Sequence, residues 1–156
     1  MRWEVPASAN ARLACSPDYE RAQDWVEKIA LALEAKDPDA AADLFSDDAV
    51  FTLGHFPPTD KTRESKHAFF SWMTSVGKHD QCIKNLISTP THFVCQWETT
   101  YIIGMHPPVI VDYSAVMTRD LKNPEENKVS SVQMYGDLSK LIPLIADKPI
   151  AWCPTS

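Results

Sequence analysis

Residues 92–119 read HFVCQWETTYIIGMHPPVIVDYSAVMTR, and this stretch decides the architecture. Successive side chains of a strand point to opposite faces. Phe93, Cys95, Trp97, Thr99 and Tyr101 therefore share one side, and Val94, Gln96, Glu98, Thr100 and Ile102 the other. After a break at Gly104-Met105-His106-Pro107-Pro108 the alternation resumes, with Val109, Val111, Tyr113, Ala115 and Met117 set against Ile110, Asp112, Ser114, Val116 and Thr118. The odd-numbered sets are aromatic and apolar, so they form the buried face of a hairpin. Two more runs, near 82–89 and 128–136, are separated from these by Thr89-Pro90 and by Lys122 to Asn127, giving four strands joined as hairpins.

Upstream the period changes to that of helices. Ser16-Pro17-Asp18 supplies a cap, a first-turn proline and a first-turn acid, and Ala22, Val26, Ile29 and Leu33 recur on one face up to a stop near Lys36. Asp37-Pro38 repeats the signal for a short helix over 39–45, packed by Leu44 and Phe45. Ala49 to Leu53 is β-branched and aromatic and reads as a strand, followed by a loop through Gly54, Pro57 and Pro58. Thr62 caps a third helix whose apolar face is Phe69, Trp72, Met73 and Val76, with Gly77 at its end. The class predicted is α+β: a curved antiparallel sheet wrapped against about three helices. One domain is expected over 1–156, with an N-terminal arm to residue 16, a core over 17–141 and a C-terminal tail over 142–156.

Composition narrows the function. A chain of 156 residues with 44% hydrophobic and 23% charged content buries one core without needing a metal or a disulfide. Fifteen basic residues against twenty-one acidic ones, with no Lys/Arg stripe, argue against a nucleic-acid partner. No apolar run approaches the roughly 20 residues that cross a bilayer, and Met1-Arg2-Trp3-Glu4 opens no secretory core, so a cytoplasmic protein with no membrane partner is expected. Cys15, Cys82, Cys95 and Cys153 lack CxxC spacing and are expected to be reduced thiols, Cys82 and Cys95 as small core residues.

Three stretches carry a family resemblance: LEAKDPDAAADLFSDDAVF (33–51), VCQWETTYIIG (94–104) and KVSSVQMYGDLSKL (128–141). In order and spacing, the chain resembles the nuclear transport factor two-like superfamily, and within it the SnoaL-like polyketide cyclases and isomerases. The resemblance implies a sheet curled into a cone-shaped barrel, helices lidding an apolar pocket, and a homodimer through the sheet. Such a pocket, walled here by Phe51, Trp72, Trp97, Tyr101, Tyr113 and Met134, suits a flat apolar polyketide- or terpenoid-like substrate.

The resemblance also implies a proton-transfer role for Asp137, the acid that ends the last strand in MYGD. A carboxyl beside an apolar cavity has its pKa raised toward neutrality, as acid–base work requires. Strand parity sets Asp137 opposite to Met134, so it reaches the pocket only if the chain turns at Gly136. Otherwise it is a helix cap. Tyr113 is a candidate donor to a developing oxyanion, or a buried tyrosine satisfied by a backbone carbonyl, and His55 a candidate proton shuttle on the rim. His67, His79 and His106 are expected on the surface, and no histidine pair has metal-site spacing, so no metal is expected. The Arg and Asp residues of limonene epoxide hydrolases have Trp97, Thr99 and Met134 at the corresponding positions here, and the oxyanion hole of ketosteroid isomerase has no clear counterpart. Two functions stay open: a cofactor-free isomerase or cyclase of small-molecule biosynthesis, and a non-catalytic binding or adaptor domain.

Overall fold

The computed structural model describes residues 1–4 and 16–147. Cys15, Cys153, most of the N-terminal arm and the last part of the C-terminal tail lie outside those residues. In chain order the elements are β1 (Arg2–Trp3), α1 (Pro17–Glu34), α2 (Pro38–Ala42), β2 (Phe45–Leu53), α3 (Arg63–Ser75), β3 (Lys78–Ser88), β4 (His92–Ile102), β5 (Val109–Arg119) and β6 (Val129–Gly136). They build one six-stranded sheet in the order β1-β3-β4-β5-β6-β2. The four strands from β3 to β6 are antiparallel neighbours, while the edge strands β1 and β2 pair in parallel with β3 and β6. The sheet curls without closing.

Each helix begins where its capping residues dictate. The side chains of Ser16, Asp37 and Thr62 accept from the backbone N–H groups of Tyr19, Ala40 and Ser65, satisfying donors that a first turn leaves orphaned. At the far end of α3, Gly77 has φ +83°, and a Cβ there would collide with the Ile102 carbonyl, so both backbone conformation and space demand glycine.

Two element boundaries differ from those the sequence predicts. The short helix stops at Ala42, and Phe45 opens β2. Phe45 is worth more to the strand, where its ring lies 4.5 Å from that of Phe51 and 5.2 Å from that of Trp25. The register between β2 and β6 slips between Phe45 and Val50. Lys66, only 2% exposed, reaches across from α3 and donates to the Ser46 and Asp47 carbonyls in that irregular stretch. The second difference is that β3 begins at Lys78, four residues before the apolar signal starts.

Inside the curl, rings from three layers meet: Trp25 of α1, Phe69 and Phe70 of α3, and Phe45, Phe51 and Phe93 of the sheet. One end is tied by Arg119, which is buried, stands 5.0 Å from the centroid of the Phe93 ring, and donates to the Asp18 carbonyl (2.7 Å) and Ser88 Oγ (2.9 Å). On the outward face of the sheet Ile102, Ile110 and Val116 are exposed.

Candidate functional site

Pairing registers place the inward side chains in rows across the sheet. One row runs Leu86, Cys95, Ala115, Met134, Leu53; the next runs Trp3, Ile83, Trp97, Tyr113, Gly136; then come Gln81 beside Thr99 and His79 beside Tyr101. A cavity of about 70 Å³ opens among these rows, α1 and α3. Phe51, Trp97 and Met134 line it, along with Ile29 and Leu33 of α1, Met73 of α3, and Gln81. Trp72, Tyr101 and Tyr113 are buried but do not line it. An engineered apolar cavity of about 150 Å³ admits benzene, so this space is less than half of that and too small for a polycycle as the side chains stand. The aromatic set expected to wall a roomy pocket instead largely fills it.

The Tyr113 ring is clamped. It stacks on Trp97 at 5.2 Å between centroids with 19° between planes, and on its other side lies Gly136, where a Cβ would fall 2.6 and 2.7 Å from two ring carbons. Gly136 therefore makes room for Tyr113. It does not turn Asp137 inward. The Tyr113 hydroxyl is satisfied by the Tyr101 hydroxyl at 2.7 Å. Burial raises both phenols, Tyr101 to about 12 and Tyr113 further, so both are neutral hydrogen-bond donors at ordinary pH.

Asp137 and His55 are exposed, at the ends of β6 and β2. They lie together with Tyr135, Asp112 and Lys84 on a second, open concavity of about 600 Å³, which Tyr113, Trp97 and Gly136 also border. The Asp137 carboxylate accepts from the Ser139 backbone N–H at 3.0 Å, and this contact holds its pKa below the usual carboxylate range. The expectation of a raised pKa fails for this reason: the carboxyl has solvent and a backbone donor, and no apolar wall.

Two polar groups that were not among the candidate site residues are buried in the cone. His79 is 7% exposed, with its ring 4.9 Å from that of Tyr101 and its Nε2 without a partner among the described residues. Burial and the Lys36 charge pull its pKa down to about 4, more than the Val76 backbone and Glu34 pull it up. The surface placement expected of it is wrong because β3 starts early enough to give His79 the inward parity of Gln81 and Ile83. Gln81 is 3% exposed, and its Oε1 accepts from the Thr99 hydroxyl at 2.8 Å. Among the described residues no group of three His, Cys, Asp or Glu side chains is placed to hold a metal ion, and no helix is long and apolar enough to cross a membrane.

Three solved structures share this arrangement of sheet and helices. PrhC from Penicillium brasilianum aligns with a TM-score of 0.68 at 12% identity, over 88% of this chain and 99% of that one. A hypothetical protein from Catenulispora acidiphila with a ketosteroid isomerase-like fold, solved with trimethylamine, aligns with a TM-score of 0.65 at 18% identity, over 84% and 98%. The chain has the ketosteroid isomerase-like fold. A Bacillus subtilis protein assigned provisionally as an isomerase aligns with a TM-score of 0.70 at 11% identity, over 86% and 99%. No protein-family model matches the chain, and no curated protein sequence does. At these identities the likeness establishes the ketosteroid isomerase-like cone and leaves the chemistry to the residues inside it.

Proposed function

We propose that the chain is a cofactor-free isomerase or cyclase that draws an apolar, polyketide- or terpenoid-like molecule into the mouth of the cone and rearranges it. The observation that carries this reading is the apolar cavity inside the curl. Isomerase-related names among proteins of the same fold support the reaction class. A ligand larger than the cavity enters by displacing Ile29 and Trp97, the half-buried side chains on its wall. In this reading orientation against the aromatic walls supplies most of the rate, the tyrosine pair donates toward developing negative charge, and Asp137 and His55 exchange protons from the rim.

One observation favours a second reading, binding without chemistry: none of Asp137, His55 and Tyr113 lines the cavity. Turnover of an apolar β,γ-unsaturated cyclic ketone, followed by the absorbance of the conjugated enone, separates the two. The enzyme reading expects turnover, slowed about 10²- to 10⁴-fold in Asp137→Asn with ligand affinity retained. Binding with no turnover of such ketones by the parent protein supports the binder. Turnover unchanged in Asp137→Asn removes that residue from the mechanism.

A further inference from the structure

Gln81 gives the cavity a chemical preference that its apolar walls do not. Among the described residues it is the only one lining the cavity with a carboxamide, hydroxyl or carboxyl group, and no described Lys, Arg or His lines it. Its backbone is fixed twice: Gln81 pairs with Thr99 across β3 and β4, and its N–H donates to Glu34 Oε1 at 3.1 Å, tying β3 to the end of α1. The side chain is fixed as well. Thr99, 1% exposed, donates its hydroxyl to Gln81 Oε1.

That bond determines which end of the amide is spoken for. Behind Thr99 lies the Tyr101 hydroxyl, itself 2.7 Å from that of Tyr113. With Oε1 taken by Thr99, the amide has Nε2 left to offer, and no described residue accepts from it. A carboxamide N–H₂ is a donor and nothing else.

We infer that Gln81 is the specificity-determining group of the cone, and that it selects apolar molecules ending in a neutral acceptor oxygen of the carbonyl class. This rests on the proposed small-molecule role of the cavity. A hydrocarbon leaves Nε2 unpaired. A carboxylate enters an apolar space with no cation to offset its lost hydration. Size sharpens the same choice. About 70 Å³ accommodates the oxygen and the few carbons next to it, while the rest of the ligand runs out past Ile29 and Trp97. Thr99 is a positioning residue, since it acts only by holding the amide.

The test uses 2-nonanone, 1-nonene and nonanoate as probes of the full chain, read by the side-chain ¹H–¹⁵N resonances of Gln81 and by tryptophan emission. The ketone is expected to bind best and to move the Gln81 N–H₂ resonances downfield, an observation that needs no variant. Gln81→Leu is expected to weaken ketone binding about tenfold, the worth of one net hydrogen bond, and to strengthen 1-nonene binding, since no donor is then left unpaired. Thr99→Val, by freeing the amide to rotate, is expected to weaken the ketone by a smaller factor and to broaden the Gln81 resonances. Equal binding of ketone and alkene with no shift at Gln81 overturns the selectivity and leaves the cavity as a binding site. Preferred binding of nonanoate overturns it too. Failure of every probe to bind overturns the small-molecule reading itself, and this inference with it.

Discussion

His79 makes a sharp prediction about stability and pH. Its imidazole is buried beside Tyr101, with Glu34 and Lys36 as its charged neighbours, and titrates at about 4 in the folded chain against 6.5 in the unfolded one. The folded pKa is depressed, so between those values the unfolded chain binds more protons, and acid favours unfolding. The contribution is intact above pH 6.5 and lost as pH falls toward 4. At pH 5 an unfolded His79 is almost wholly protonated and the folded one about a tenth so, a loss of about 2 kcal/mol relative to pH 7. Carboxylates titrate in the same window and obscure this in the parent protein alone. His79→Leu removes the proton and keeps an apolar side chain. Urea unfolding of both proteins at pH 7 and pH 5 is expected to show the variant gaining about 2 kcal/mol on the parent as the pH drops. A stability difference between the two that is the same at both pH values refutes the burial argument.

The tyrosine pair is expected to respond unequally. Tyr101→Phe strands the Tyr113 hydroxyl and should cost about 1–3 kcal/mol, whereas Tyr113→Phe leaves Tyr101 within reach of Thr99 and should cost less. The double variant should cost less than the sum in urea unfolding, and strict additivity would show that the hydroxyls are not coupled. On the outward face, Ile102 and Ile110 are 43% and 55% exposed on strands that would otherwise be polar there, and a homodimer through this face is the expected occupant. Sedimentation at micromolar concentration should give twice 17.5 kDa, falling to the monomer in Ile110→Glu; a monomeric parent protein refutes this.

Alternation along 92–119 told which side of β4 and β5 is buried, because period-2 patterning is local and the hairpin keeps parity across the turn. Caps at Ser16, Asp37 and Thr62 were equally legible, since a side chain three residues from its N–H partner needs no tertiary context. The parity of Asp137 relative to Met134 was on the page too, and with β6 running straight to Gly136 the acid keeps the outward course that alternation assigns. His79 and Gln81 were not legible. Lys78-His79-Asp80-Gln81 is polar text, and only the packing of α1 over β3 buries half of it. Cavity size was likewise beyond composition: Phe45 joining the sheet, and Phe51, Phe69 and Phe70 meeting it inside the curl, reduce the space to about 70 Å³. The sequence by itself determined the elements and their faces, because those follow from contacts a few residues apart. The tertiary structure alone decided which polar groups lose their water and how much room the rings leave, because both depend on residues brought together from opposite ends of the chain.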